Sequence, residues 1–209
     1  MSTKKMLDKR GFGMIENFEP DEEKYLLDLA RGALSSAVND KDIPEPKPDE
    51  LPYQLKFTQE RGCFVTLTTL NGRLRGCIGN IEPNGPLYKS IINNAVNAGM
   101  YDPRFPQVSL AELDHIKIEI SVLTVPRPLA FSSSGELLSK LKPCVHGVIL
   151  KIGYHRSTFL PHVWEQLPDK VTFLEHLALK AGAGKDEWKK SEVWIYEAVC
   201  FGEHPARLS

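Results

Sequence analysis

The sequence predicts an α+β fold, a mixed and mostly antiparallel sheet with flanking helices. Three observations carry that prediction. Asn71-Gly72 sits between alternating runs and reads as a hairpin turn, since a type I′ turn needs positive φ at both central residues. Ile116, Ile118, Ile120 and Val122 alternate with His115, Lys117, Glu119 and Ser121, the pattern of a strand wet on one side. Helical apolar stripes are interleaved with these strands, which is the α+β pattern.

In chain order, residues 1–19 show no sustained periodicity and read as an N-terminal tail. From Asp21 a helix is expected: acidic residues crowd its first turn, where they suit the macrodipole, and Tyr25, Leu26, Leu29, Ala33, Leu34, Ala37 and Val38 form its stripe. Four prolines among charges make 41–52 an extended linker. A two-residue turn at Asn71-Gly72 pairs Thr68 with Arg75, Thr66 with Cys77 and Val65 with Ile78. Val65, Leu67, Thr69, Leu74, Gly76 and Ile78 then share a core face. Thr66, Thr68, Leu70, Arg73, Arg75 and Cys77 share the other. Pro86 suits the first position of a helix whose buried side is Leu87, Tyr88, Ile91, Ile92, Ala95 and Gly99. Asp102-Pro103-Arg104-Phe105-Pro106 is a rigid connector into the strand at 116–122. A short helix at 136–141, a strand at 148–152, a turn at 153–157 leading into 158–160, and a short helix from Pro161 to Trp164 follow. A longer helix over 170–181 ends at Gly182, and Val193 to Val199 forms a last, interior strand.

A chain of 209 residues is long enough to bury an ordinary core. Its net charge of -1 and scattered basic residues argue against nucleic acid or an anionic membrane as partner. No apolar run approaches the ~20 residues of a bilayer span, and the N-terminus lacks a signal-peptide core, so a cytoplasmic protein is expected. Four scattered cysteines predict reduced thiols. Cys144 and His146 make only a lone C-x-H, without the second pair that structural zinc uses, so no metal is expected, and no cofactor.

The unusual residues gather in Leu74 to Gly79. Cys77 and Arg75 lie two apart on the face that does not belong to the core, about 7 Å along the strand. A guanidinium there favours a thiolate, so Cys77 reads as a nucleophile or redox thiol. The bland reading is a small, inert side chain wedged under a crossing helix. Arg75 reads as a bidentate holder of a carboxylate or phosphate, with the neighbouring glycines and the next helix start supplying N–H groups. Its alternative is a structural ion pair, with Asp102 the obvious partner. His146 is either a general base for Cys77 or a buried, hydrogen-bonded core histidine, and the latter is commoner.

LRGCIG at 74–79, DPRFP at 102–106, SVLT at 121–124, VHG at 145–147, LPHVW at 160–164 and KAG at 180–182 occur in this order. Together they resemble the AMMECR domain family, whose prokaryotic members include the AmmeMemoRadiSam system protein A type. The resemblance spans roughly 20–205, outside the tail. It implies an α+β domain in two unequal lobes, with LRGCIG near a cleft between them. It also implies Memo-like and radical SAM proteins as partners. At His162 the family pattern carries Gln or Glu, so that histidine gains no support. The site expected from these readings has Cys77 and His146 as catalytic residues. Arg75, Gly76, Gly79, Asp102 and Arg104 would bind a small anionic ligand. The alternative is a non-catalytic module docking one of those partners through the same hairpin.

Overall fold

The computed structural model describes residues 17–203, so most of the expected tail and the last positions of the matched span lie outside the described residues. The fold is α+β, with helices and two antiparallel four-stranded sheets. Two compact units divide the chain: one holds residues up to Leu123 together with those from Val199, and the other runs from Thr124 to Ala198.

In the first unit, α1 (Pro20–Val38) begins with Asp21, Glu22 and Glu23 in its first turn and buries Leu26, Leu27, Ala30, Ala33 and Leu34. The stripe is rotated slightly from the expected one, leaving Tyr25 and Leu29 at its margin. The expected linker carries a 3-10 turn at Pro48–Glu50, and a short helix that was not expected, α2 (Gln54–Phe57), follows it. β1 (Cys63–Thr69) and β2 (Leu74–Asn80) form the hairpin, α3 (Leu87–Met100) follows, and β3 (Ile116–Leu123) pairs with β1. Strand order is β2-β1-β3-β8, with β8 at Ala198–Gly202, so β2 is an edge strand. The core lies on the helical side of this sheet, where Cys63, Val65, Leu67, Ile116, Ile118, Ile120 and Val122 meet α1 and α3. Arg31 on α1 anchors the end of β8 by donating from Nε to Glu203 at 2.9 Å.

The turn corrects the expected register. Gly72 N donates to Thr69 O at 2.8 Å and Thr69 N to Arg73 O at 2.8 Å. Gly72 has φ +80°, while Asn71 is not left-handed. This is a three-residue loop, Leu70-Asn71-Gly72, in place of the two-residue type I′ turn. Thr66↔Cys77 and Val65↔Ile78 pair as expected, but Thr68 opposes Leu74, so Arg75 is the extra residue of a β-bulge. The slip exposes Leu74 and buries Arg75.

The second unit contains β4 (Arg127–Pro128), α4 (Ser134–Lys140), β5 (Gly147–Ile152), β6 (His155–Phe159), α5 (Lys170–Lys180) and β7 (Glu192–Tyr196), with strand order β4-β7-β5-β6. β6 begins at His155, within the stretch expected to be a turn. Val148, Leu150, Trp164, Phe173, Leu174, Leu177 and Trp188 fill its core, and Trp164 stacks on Phe173 at 3.5 Å between centroids. The single strand expected over 193–199 is two strands. β7 lies inside the second sheet and β8 at the edge of the first, broken at Glu197, whose N–H and C=O pair with Thr124. Among the described residues, no helix is long and apolar enough to cross a membrane, and no group of three or more His, Cys, Asp or Glu stands together to hold a metal ion.

Candidate active site

Because β2 is an edge strand, the outward N–H and C=O groups along it need partners other than a strand. At Cys77 the connector after α3 supplies them. Cys77 N donates to Asp102 Oδ2 at 2.9 Å, and Cys77 O accepts from Arg104 Nη2 at 3.0 Å. Asp102 also accepts from the N, Nε and Nη2 of Arg104 at 3.1, 3.0 and 2.7 Å. The two charged side chains of the connector thus fasten the strand edge.

Asp102 is buried while the Arg104 side chain is 54% exposed. The Arg104 guanidinium, and after it the N–H groups of Cys77 and Arg104, hold the Asp102 carboxyl well below the usual carboxylate range despite its burial. Arg104 is raised in turn, first by Asp102, with a smaller contribution from Cys77, whose backbone carbonyl its Nη2 contacts. Among the described residues, Arg104 Nη1 donates to no group.

Since Cys77 directs both backbone groups away from β1, Thr66 and Cys77 form a non-hydrogen-bonded pair, the kind that brings opposed side chains closest. Thr66 Oγ1 donates to Cys77 Sγ at 3.3 Å. The cysteine is half-buried, in contrast to Cys63, which burial pushes up to about 12 despite the Asn94 amide beside it.

Arg75 does not join this group. Its Nε and Nη2 grip Glu112 at 2.8 and 3.2 Å, Nη1 donates to Pro106 O at 2.9 Å, and Nη2 to Gln107 O at 3.2 Å. The expected partner Asp102 is replaced by Glu112, which Arg75 first and the Ser109 N–H second lower to about 2. A guanidinium so occupied is a structural clamp between the hairpin and the connector. Gly76 lies under α3, where a Cβ would overlap the Ala98 carbonyl, and at Gly79 one would overlap Phe64. Both glycines therefore serve close packing. At the start of α3, Leu87 N donates to Gln59 O at 2.9 Å.

His146 belongs to the second unit and is buried. Its Nδ1 accepts from Lys142 N at 3.2 Å and its carbonyl from Trp164 Nε1 at 2.7 Å. Burial first, then the charges of Arg127, Lys142 and Lys170, lower it to about 4. It is a neutral structural residue and a weak base near neutrality. Lys180, on α5, donates to Thr158 O at 2.9 Å.

The arginine that meets Cys77 is thus Arg104, at the cysteine's carbonyl. The signal was present: an Asp-Pro-Arg connector is short and rigid enough for its two charged side chains to act on one strand position.

The AMMECR1 family model matches residues 27–201. The chain belongs to the AMMECR1 family. Among its relatives, Protein MJ0810 of Methanocaldococcus jannaschii is 41% identical over 187 residues, covering 88% of this chain and 90% of its own. Protein NEQ441 of Nanoarchaeum equitans is 39% identical over 181 residues, covering 85% and 98%. The crystal structure of uncharacterized protein PH0010 from Pyrococcus horikoshii is similar with a TM-score of 0.81 at 32% identity, covering 91% of this chain and 95% of that one. In this AMMECR1 chain, LRGCIG and DPRFP are thus one physical unit, the second fastening the first at its cysteine.

Proposed function

We propose that this AMMECR1 domain is a thiol-dependent enzyme acting on a small molecule that carries a carboxylate or phosphate. Cys77 is its nucleophile and Arg104 its anion-binding group. One observation carries this reading: Asp102 and Arg104 converge on the backbone N–H and C=O of Cys77, and the guanidinium held there is 54% exposed. A nucleophile fixed at both its N–H and its C=O is pre-oriented, which lowers the entropic cost of attack. The exposed guanidinium adjoins Cys77, so an anion paired with it brings an electrophilic carbon within reach of the thiolate. In this reading Arg75 and His146 support the two units and take no part in chemistry.

The test is timed alkylation of the native protein, with the modified peptide quantified by mass spectrometry. Cys77 should react several-fold faster than a free thiol of a small peptide. It should prefer iodoacetate over iodoacetamide more strongly than that peptide does, and Arg104→Gln should abolish the preference. Reaction no faster than the free thiol, with no preference for the anionic reagent, sinks the reading.

A second reading has its own observation. Leu70 and Leu74, at the hairpin tip, are 56% and 44% exposed, which suits a surface that another protein covers. There the tip docks a Memo-like or radical SAM partner. Recovery of those proteins by the wild-type chain but not by a Leu70→Asp, Leu74→Asp variant supports docking, and equal recovery by both removes it.

A further inference from the structure

The geometry points to Thr66 as the residue that orients the Cys77 sulfur, an inference that rests on Cys77 being the reactive thiol. Thr66 stands on β1, directly opposite Cys77 in the pair whose side chains approach most closely. Its hydroxyl donates to Sγ at 3.3 Å. The donor is stiff, because a β-branched side chain on a strand has restricted χ1 freedom. A hydroxyl has one proton, and giving it to sulfur is more favourable when the sulfur carries the charge.

The groups facing the sulfur come from three elements. Arg104 and Asp102 approach along the edge from the connector. Thr66 flanks it on β1. Beyond Thr66, Glu119 lies opposite on β3, with Lys117 on the same face one pair away. Cys77 and Glu119 are thus separated by two strand spacings, roughly 10 Å. At that distance the Glu119 and Lys117 charges act weakly and with opposite sign. Among the described residues, Thr66 Oγ1 donates to the sulfur, whereas the Arg104 guanidinium is bonded to Asp102 and to the Cys77 carbonyl. Thr66 is therefore the group that sets the side chain's direction before a ligand arrives.

Thr66→Val is the direct test: it keeps the shape and the β-branch and removes only the hydroxyl. Alkylation of Cys77 in the full chain is followed with iodoacetamide, a neutral probe that does not need Arg104, from pH 6 to pH 10. We expect the Val variant to react about tenfold more slowly at neutral pH, the size expected for loss of one hydrogen bond to a charged group. Thr66→Ser should restore most of the rate, a rescue by the hydroxyl that a purely structural role of the β-branched shape would not produce. Thr66→Ala is measured alongside, so that the Ser–Ala comparison decides if Val perturbs folding. Fast, unchanged Cys77 chemistry in Val and Ala overturns the role of Thr66 and leaves the proposed function intact. A wild-type Cys77 no faster than a free thiol and without preference for the anionic reagent overturns both.

Discussion

Cys77 donates its backbone N–H to the carboxylate of Asp102, 25 residues further along the chain, at 2.9 Å. That bond converts an edge strand into an anchored one. Asp102 is buried and depends on Arg104 for its charge balance, while Arg104 returns to the Cys77 carbonyl. Asp102→Ala leaves the Cys77 N–H without a partner and Arg104 without its carboxylate. It should cost about 2–3 kcal/mol by urea unfolding. Hydrogen exchange at the Cys77 amide should accelerate by at least the same factor. Asp102→Asn, which keeps an acceptor, should cost about half as much. An amide at 77 that stays protected in Asp102→Ala would show that the clamp is not formed in solution.

Arg75 gives a prediction of the opposite kind. Its guanidinium meets a carboxylate and two carbonyls on the connector, so Arg75→Ala should destabilise the first unit by about 2–3 kcal/mol. Arg75→Lys should recover little, since an ammonium lacks the planar fork that spans Glu112 and the carbonyls. At temperatures where both variants remain folded, the alkylation rate of Cys77 should stay near wild type. A selective loss of anionic-reagent preference in Arg75→Lys, without loss of stability, would return Arg75 to the ligand site.

How much of this was legible in the sequence depends on range. The Asn71-Gly72 signal and the alternation around it located the hairpin and the Thr66–Cys77 pair, because both are local. The turn type was not legible. Only Gly72 is left-handed, and Leu70 joins the loop, which shifts Arg75 into a bulge and away from the face assigned to it. Its partner lay 37 residues on, in the turn at Leu110–His115. There Ser109-x-x-Glu112 was a readable capping box, since Ser109 N donates to Glu112 at 2.9 Å, but it gives no hint of Arg75. The run from Val193 to Val199 read as one strand because both halves are apolar. Its division between two sheets shows only in Glu197, an isolated charge whose strand-breaking role needs Thr124 beside it.

Acid should act on the two units in different windows. In the second unit, His146 falls from 6.5 to about 4, so the unfolded chain binds the extra proton. Stability from neutral His146 is therefore complete above pH 6.5 and is lost as pH falls toward 4, a change on the order of 3 kcal/mol. In the first unit, Glu112 and Asp102 are depressed, so their contributions hold above the ordinary carboxylate values. Glu112 loses its share between about 4.5 and about 2, and Asp102 from 3.8 downward. Amide exchange between pH 6.5 and 4.5 should accelerate in β5 and α5 while β1 and β2 stay protected. His146→Gln, which keeps an acceptor for Lys142 N, should flatten the slope above pH 4.5. Equal acceleration in both units over that range would contradict the assignment.

Two glycines of the hairpin region separate conformational strain from steric exclusion. Gly72 is left-handed at φ +80°, and a Cβ there meets open space. Gly72→Ala should cost about 1–2 kcal/mol, the price of that backbone region for a side chain. Gly76 is not left-handed, but a Cβ there would overlap the Ala98 carbonyl, a backbone group of α3 that cannot swing aside. Gly76→Ala must push α3 from β2, with a cost on the order of 3 kcal/mol or more. Because Asp102 follows α3 directly, that displacement should also loosen the clamp on Cys77 and speed exchange of its amide, whereas Gly72→Ala should leave that amide as protected as global stability allows. Urea midpoints in the reverse order, with Gly72→Ala the more damaging, would mean that α3 does not rest on Gly76 as the structure places it.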